Sequence, residues 1–143
     1  MTIRPMTTDD YDAMHRLWTT TPGMGLRSLD DGPEGIAQFL ARNPDTCFVA
    51  EEDSELLGTV LCGHDGRRAY VYHLTVAPQA RKRGLGRALV AAAEDALRAI
   101  GIHKTALVAF ADNTGGNAFW QALGYEARAD LIYRNKSLND DNR

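Results

Sequence analysis

Residues 69–110 contain, in order, an apolar run, a glycine-rich basic turn, a long amphipathic segment and a second apolar run. From Gly84 to Ile100 the apolar side chains recur with helical spacing, and Glu94 and Arg98 lie on the opposite face. A helix of this length spans about 25 Å, enough to cross one face of a sheet. Because a strand, a helix and a second strand in succession join parallel neighbours by a right-handed crossover, the segment predicts an α/β fold.

The rest of the chain predicts short helices and strands around this unit. Helices are expected over about residues 11–20, 33–42 and 116–123, and strands over about residues 47–50, 56–62, 69–76 and 105–110. Tight polar turns between the first three strands indicate an antiparallel meander. Two weak β stretches within residues 126–138 are expected to form a hairpin. We therefore predict one domain over residues 1–138, with a mixed sheet, followed by a solvated tail over residues 139–143.

Composition excludes several classes of function. The 143 residues include 16 Lys and Arg against 19 Asp and Glu, a net charge of −3, which argues against wrapping nucleic acid or an anionic membrane. Cys47 and Cys62 are too few and too isolated for a zinc site or a disulfide framework, so we expect reduced thiols and no metal. No apolar stretch has the length of a signal peptide or a membrane span, which predicts a cytoplasmic protein.

The segment from Arg81 to Arg87 carries the clearest chemical signal. Two glycines allow close approach of a ligand, the first amides of the helix lack partners, and four cationic side chains surround them. This combination is typical of a site for a pyrophosphate. A dinucleotide fingerprint fails because Leu89 stands where a third glycine is needed, and a P-loop fails because Arg87 and Ala88 follow Gly86. A solvated basic helix start without a ligand is the alternative.

Two motifs together resemble the GNAT superfamily of N-acyltransferases. The first is Val76, then Arg81-x-x-Gly84-x-Gly86, then a helix, which is similar to the superfamily's acyl-CoA signature. The second is Asn113 followed by the segment 118–125, and the opening residues 3–10 are also typical of the superfamily. Within the superfamily, Gly58-Thr59-Val60 and residues 123–126 are similar to those of a small bacterial acetyltransferase. The resemblance covers nearly the whole chain.

The resemblance implies a mostly antiparallel GNAT-like sheet with helices on both faces and a central splay between strands that admits a thioester. Acetyl-CoA would be the cosubstrate, and main-chain groups of Leu74 and Val76 would bond its pantetheine arm like an added strand. Asn113 would contact the arm from the side, and the segment around Phe119 and Trp120 would pack along its far end. The diphosphate would be held by the residues of the glycine-rich turn, namely Arg81, Lys82, Arg83, Gly84, Leu85, Gly86 and Arg87.

The sequence departs from the superfamily at two catalytic positions. Relatives usually carry a tyrosine where this chain has Trp120, and indole cannot deliver its proton near neutral pH. Many relatives also carry a glutamate base where this chain has Val108. The remaining candidates for a base are His73 and Tyr72, with Glu51 and Glu52 as further alternatives. Strict alternation along the strand would place His73 on the face opposite Tyr72 and Leu74.

These observations predict an acetyl-CoA-dependent N-acetyltransferase that moves an acetyl group to a primary amine by direct attack. The acceptor, a small molecule or a peptide, is not specified by any motif, and a homodimer is the superfamily's expectation. A non-catalytic acyl-CoA sensor is the alternative, because Trp120 and Val108 replace the usual acid and base. A nucleic-acid binder using residues 81–83 is disfavoured by the net negative charge.

Overall fold

The computed structural model describes residues 1–143 as a five-stranded sheet flanked by four helices. The strands lie in the order of the sequence, the first four are antiparallel, and β5 runs parallel to β4. Their bounds are β1 Thr2–Pro5, β2 Phe48–Glu52, β3 Glu55–His64, β4 Ala69–Val76 and β5 Thr105–Ala106. The mixed, mostly antiparallel α/β sheet that the sequence predicts is therefore confirmed.

Helices cover both faces of the sheet, and their bounds are α1 Tyr11–Thr19, α2 Pro33–Arg42, α3 Leu85–Ala99 and α4 Thr114–Ala122. One core cluster places Trp18 of α1 and Leu40 of α2 against Val49 and Leu61 of the sheet. A second cluster places the apolar stripe of α3 against strand residues such as Val60. Because Val60 and Leu61 are neighbours in β3, the two clusters lie on opposite faces.

The boundaries of α1 and α2 follow local sequence signals. The main-chain N–H of Thr7 donates to the Asp10 carboxylate at 2.8 Å, which caps a short 3-10 turn that leads into α1. Pro33 is the first residue of α2, where its missing N–H costs no hydrogen bond. Arg4 also binds Asp10, at 2.7 Å, and so ties the start of α1 to β1.

Two predictions about the last third of the chain are wrong. The strand expected over residues 105–110 is limited to Thr105–Ala106, since the chain then diverges from β4 and leaves Val108 and Phe110 more than half exposed. The hairpin expected over residues 126–138 is absent, and all of these residues are exposed and form no strand. Apolar composition suggested strands in both places, but a strand needs a paired neighbour.

Residues 139–143, predicted to be a solvated tail, are exposed except for Asn142, yet they contact the loop between α1 and α2. The main-chain N–H of Ser28 donates to the Arg143 carbonyl oxygen at 2.8 Å. The side chain of Asn142 binds the same loop. The segment therefore adds to the folded unit instead of leaving it.

Both cysteines are free and buried, and they lie in different core clusters. Burial raises the pKa of the Cys47 thiol to about 11 and that of Cys62 to about 12, so neither thiol ionises near neutral pH. No cluster of three His, Cys, Asp or Glu side chains is arranged to hold a metal ion. None of the helices combines the length and the apolar character that crossing a bilayer demands.

Candidate active site

A bulge in β4 sets the directions in which the side chains of this strand point. Between the Leu61–Tyr72 pair and the Thr59–Thr75 pair, two β4 residues, His73 and Leu74, oppose a single residue of β3. His73 adopts a φ of +48°, in the left-handed region that residues other than glycine seldom occupy. Such a conformation costs about 1–3 kcal/mol and persists only where surrounding contacts enforce it.

The bulge overturns the predicted alternation of faces. Tyr72 contacts Phe39 of α2, with ring centroids 6.0 Å apart, and the His73 ring lies 5.0 Å from that of Trp18 in α1. Leu74 instead packs against the α3 cluster. His73 and Tyr72 therefore share the α1–α2 face, because the extra residue reverses the side-chain direction from His73 onward.

A buried chain of hydrogen bonds holds the bulge in place. The Trp18 indole N–H donates to the Thr59 hydroxyl at 3.0 Å, and that hydroxyl donates to the His73 carbonyl oxygen at 2.9 Å. Trp18 and Thr59 are fully buried, so neither polar group has water as an alternative partner. The left-handed residue of β4 is thus anchored to the last turn of α1.

The His73 ring is oriented by a carboxylate that lies 42 residues away in the sequence. Its Nε2 lies 2.6 Å from Oδ1 of Asp31, and the other carboxylate oxygen accepts the Arg27 main-chain N–H at 2.6 Å. Burial alone would raise the pKa of Asp31, but the hydrogen bonds from His73 and Arg27 outweigh it and lower the pKa below its ordinary value.

An ionised Asp31 fixes the tautomer of His73. The carboxylate can only accept, so Nε2 carries a proton and donates it in this hydrogen bond. Nδ1 has no hydrogen-bond partner, and the His73 side chain is 15% exposed. A base with a free lone pair and a carboxylate behind it is the geometry expected of a general acid–base residue.

The other candidate bases are engaged differently. Tyr72 packs between Tyr70 and Phe39, and burial, together with the nearby Tyr133 and Asp30, raises the pKa of its phenol. Glu51 accepts from Arg4 at 3.1 Å and Glu52 from Arg83 at 2.9 Å. Each of these acids is paired with an arginine, whereas His73 has a free basic nitrogen.

One edge of β4 opens onto a gap beside these groups. β5 pairs only with Ala69 and Tyr70, so the rest of β4 has no strand neighbour on that side. The N–H of Ala77, the residue after β4, donates to the Leu57 carbonyl oxygen of β3. The Val76 carbonyl oxygen points the other way, away from β3, and accepts from the side chain of Arg81. Because polar groups alternate along a strand, the main-chain groups of Leu74 and Val76 face the gap.

The turn that follows β4 presents a run of unpaired donors. None of the main-chain N–H groups of residues 82–87 has a hydrogen-bond partner in the structure. Lys82 and Gly84 have φ values of +64° and +80°, which curl the turn so that it leads directly into the first turn of α3. Consecutive amides at a helix N-terminus create a concave site for an anion.

The side chains around this turn do not all face the same way. Lys82 and Arg87 are exposed and make no ion pair, whereas Arg83 binds Glu52 and Arg81 donates to the Val76 carbonyl oxygen at 3.3 Å. Leu85 is buried in the α3 cluster, so only its main chain can serve a ligand.

Gly86 lies against the aromatic ring of α4. A Cβ at this position would stand 3.3 Å from the Phe119 ring, so the glycine allows α3 and α4 to close around the gap. The Val76 side chain would lie 3.8 Å from the same Cβ, so the end of β4, the donor turn and this ring lie together and border one candidate cleft.

Comparison with known proteins assigns the chain to a family. The Acetyltransferase (GNAT) family profile matches residues 11–125. The chain belongs to the GNAT acetyltransferase family. An acetyltransferase of Pectobacterium atrosepticum is 36% identical over 141 residues, which cover 99% of this chain and 98% of the relative.

Solved structures agree on the fold at low sequence identity. Ard1 from Thermoplasma volcanium matches with a TM-score of 0.79 and 19% identity, covering 90% of this chain and 84% of that one. The aminoglycoside acetyltransferase AAC(6')-Iy, solved with a bisubstrate analogue that contains CoA, matches with a TM-score of 0.73 and 22% identity, covering 95% and 97%. The fold of this GNAT acetyltransferase is therefore shared with enzymes that differ widely in sequence.

The structure places the remaining predicted residues on α4. Asn113 is the N-cap of this helix, and its Oδ1 accepts the Gly116 N–H at 3.0 Å, while its Nδ2 makes no hydrogen bond. Trp120 packs against the α3 cluster and lies 5.0 Å from the Tyr125 ring, whose hydroxyl donates to Glu94 at 2.9 Å. Of the aromatic pair at 119 and 120, Phe119 is the one beside Gly86.

Sequence reasoning missed Asp31, Thr59 and Trp18 as parts of the site. Asp31 precedes Gly32 and Pro33, a context that reads as an ordinary helix start, and Trp18 reads as a core residue. Only the Trp18–His73 contact and the Thr59 hydrogen bonds reveal their connection with β4.

Replacing Thr59 with Val should destabilise the protein by about 1–3 kcal/mol, because the buried Trp18 N–H would lose its acceptor. Urea unfolding at neutral pH measures the difference in the free energy of unfolding. Thr8→Val is the control, since that side chain is exposed and makes no hydrogen bond. Equal stability of wild type and Thr59→Val would contradict the role of this hydrogen-bond chain.

Asp31→Asn should be less stable than wild type at neutral pH, by an amount that shrinks in acid. Because folding lowers the pKa of Asp31, its charge stabilises the native state above the unfolded pKa of about 3.9, and this contribution disappears as pH falls through the lower folded pKa. Urea unfolding of both proteins from about pH 6 to pH 2 tests this, with the exposed Asp12→Asn as control. A difference independent of pH would refute the charge effect.

Proposed function

We propose that this chain is an acetyl-CoA-dependent N-acetyltransferase that transfers an acetyl group to a primary amine by direct attack. The observation that carries the proposal is the unpaired run of N–H groups over residues 82–87, placed beside the unpaired edge of β4. The run of N–H groups suits a diphosphate, and the edge of β4 suits an extended arm that contains amide groups. CoA contains a diphosphate followed by such an arm. Family membership supports the same assignment.

The cleft has donors for two parts of CoA, the diphosphate and the pantetheine arm. The amides of residues 82–87, with exposed Lys82 and Arg87, would hold the diphosphate at the start of α3. The main chain of Leu74 and Val76 would bond the pantetheine amides as a neighbouring strand would. Arg81 must then release the Val76 carbonyl oxygen that it binds in this structure.

Side chains of α4 would border the same arm. The free Nδ2 of Asn113 can donate to it, and Phe119 closes the cleft over Gly86. Trp120 would support this wall from behind, since it packs against the α3 cluster and Tyr125. In this pose Trp120 would lie one layer farther from the cofactor than the family resemblance implies.

Acetyl-CoA supplies a thioester whose carbonyl carbon accepts the amine. The chain must first help the amine lose a proton, since an alkyl amine with a pKa of about 10.4 is neutral in only about one molecule in 2,500 at pH 7. That deficit amounts to about 4.6 kcal/mol. A positioned base recovers part of it.

His73 is the residue that we assign to this role. Its Nδ1 lone pair is free, and Asp31 would stabilise the imidazolium that forms when the proton arrives. His73 directly precedes Leu74, whose main chain faces the cleft, so the base would lie one residue away from the groups that would bind the pantetheine arm. Tyr72, which lies on the same face, would contact the acceptor through its exposed ring edge.

The departing thiolate would leave without an acid from this chain. Trp120 can donate a hydrogen bond but not its proton. The Tyr125 hydroxyl is engaged with Glu94, and burial followed by the Glu94 hydrogen bond raises the pKa of this phenol. Because a thiol has a pKa of about 8.5, the CoA thiolate can leave unprotonated and then take a proton from water. Main-chain N–H groups near Val76 would stabilise the developing oxyanion, and positioning would supply most of the acceleration.

The direct test is release of free thiol from acetyl-CoA in the presence of primary amines. The panel contains an aliphatic diamine, an amino acid, an aminosugar and a lysine-containing peptide, and mass spectrometry identifies the acetylated product. Transfer to at least one class supports the proposal. Saturable CoA binding with no transfer to any amine would favour an acyl-CoA-binding module instead.

Gly86→Glu should abolish measurable CoA binding, because the new side chain brings bulk and negative charge to the proposed diphosphate site. Calorimetric titration with CoA measures the affinity. Ala91→Glu is the matched control, since it adds the same charge to an exposed position farther along α3. Unchanged affinity of Gly86→Glu would refute the pose.

His73→Asn should lower kcat by about 10²–10⁴-fold, because no base remains to accept the amine proton. Asparagine tolerates the left-handed backbone at this position, so the bulge should persist. CoA affinity should stay unchanged by calorimetry. The exposed His103→Asn serves as control. A His73→Asn enzyme with wild-type kcat would remove His73 from the mechanism.

A further inference from the structure

Residues 141–143 are bonded to the loop that carries Asp31. Ser28 exchanges two hydrogen bonds with Arg143: its N–H donates to the Arg143 carbonyl oxygen at 2.8 Å, and its hydroxyl oxygen accepts the Arg143 N–H at 2.9 Å. The Ser28 hydroxyl also donates to the Asp141 carbonyl oxygen. More than a hundred residues of chain separate the two partners, so this contact is a tertiary feature and not a local turn.

Asn142 supplies the side-chain part of this contact. Its Oδ1 accepts the main-chain N–H groups of Leu29 and Asp30, both at 3.0 Å, and its Nδ2 donates to the Asp30 carboxylate at 2.9 Å. Among residues 139–143, Asn142 is the only one that is partly buried. One amide side chain thus satisfies two successive loop amides and one carboxylate.

Only Asn142 binds the main-chain N–H groups of Leu29 and Asp30, whereas Asp31 is also held by the Tyr11 hydroxyl, which donates to its carbonyl oxygen at 2.8 Å, and by its own N–H, which donates to the Arg27 carbonyl oxygen at 3.0 Å. Residues 20–32 belong to no helix or strand. Gly35 of α2 packs against this loop, and because glycine has no side chain it leaves room for the carbonyl groups of Leu29 and Asp30. Asp31 follows directly, and its carboxylate meets His73 Nε2 at 2.6 Å. A shift of residues 29 and 30 would therefore displace the group that orients the His73 ring.

We infer that Asn142 is a positioning residue for the reaction: by fixing the main chain of Leu29 and Asp30, it holds Asp31 against His73 and so sets the ring orientation and tautomer. This inference rests on the proposed function for its kinetic consequences. Its prediction for the orientation and tautomer of the His73 ring can be tested whether or not any amine is acetylated.

Four variants separate the contributions. Asn142→Ala removes all three hydrogen bonds of the side chain. Asn142→Asp keeps an acceptor for the two amides but places a second carboxylate beside Asp30. Adding Asp30→Asn to Asn142→Asp reverses the donor and acceptor and should restore the contact. Asn135→Ala is the control, since Asn135 is exposed and makes no hydrogen bond.

Kinetics are measured with acetyl-CoA and the panel amine that gives the highest turnover. Asn142→Ala should lower kcat by about threefold to a hundredfold with little change in the KM for acetyl-CoA, because the misplaced group is the base and not the cofactor cleft. Asn142→Asp should show a similar loss, and the double variant Asn142→Asp with Asp30→Asn should recover most of it. Added to His73→Asn, Asn142→Ala should have no further effect on kcat, since both changes act through the same ring.

Nitrogen-15 NMR of the His73 ring gives a readout that needs no acceptor. Wild type should show the tautomer protonated at Nε2, Asn142→Ala a mixture of tautomers, and the double variant the wild-type pattern. His73→Asn identifies the signals by their loss. An unchanged His73 spectrum in a folded Asn142→Ala protein overturns the inference, as does an equal kcat loss in the His73→Asn background. Failure of every amine to react would instead count against the proposed function alone.

Discussion

The left-handed residue of β4 is the constraint on which the site depends. A fully regular strand would direct His73 into the α3 cluster and Leu74 towards α1, which would separate the base from Asp31. The Trp18–Thr59 hydrogen-bond chain enforces the irregular conformation from inside the core. The free energy that stabilises the α1–sheet packing therefore also maintains a strained backbone where chemistry is proposed.

The two functions proposed for β4 are divided between its main chain and its side chains. The unpaired edge serves an extended ligand through groups that every residue possesses, so the identities of Leu74 and Val76 matter little for that contact. The α1–α2 face bears the residues of individual character, His73 and Tyr72, together with the loop that contains Asp31.

Local features of the fold could be predicted from the sequence, and features that depend on distant partners could not. Pro33 sets the start of α2, and Gly84 sets the turn into α3, because each acts through its own backbone. The strand predicted over residues 105–110 depended on pairing with β4, which apolar composition does not reveal. The bulge depended on Thr59 and Trp18, and the pairing of His73 with Asp31 spans 42 residues with no repeating pattern to mark it.

The ion pair between Arg83 and Glu52 has a consequence for how an anion would arrive at the donor turn. One of the cations nearest the turn is already neutralised by β2, so the local field that draws a polyphosphate from a distance is weaker than the count of basic residues suggests. Capture would then depend on contact with the amides more than on long-range steering. A site of this kind should discriminate among anions by shape, and its association rate should respond only modestly to ionic strength.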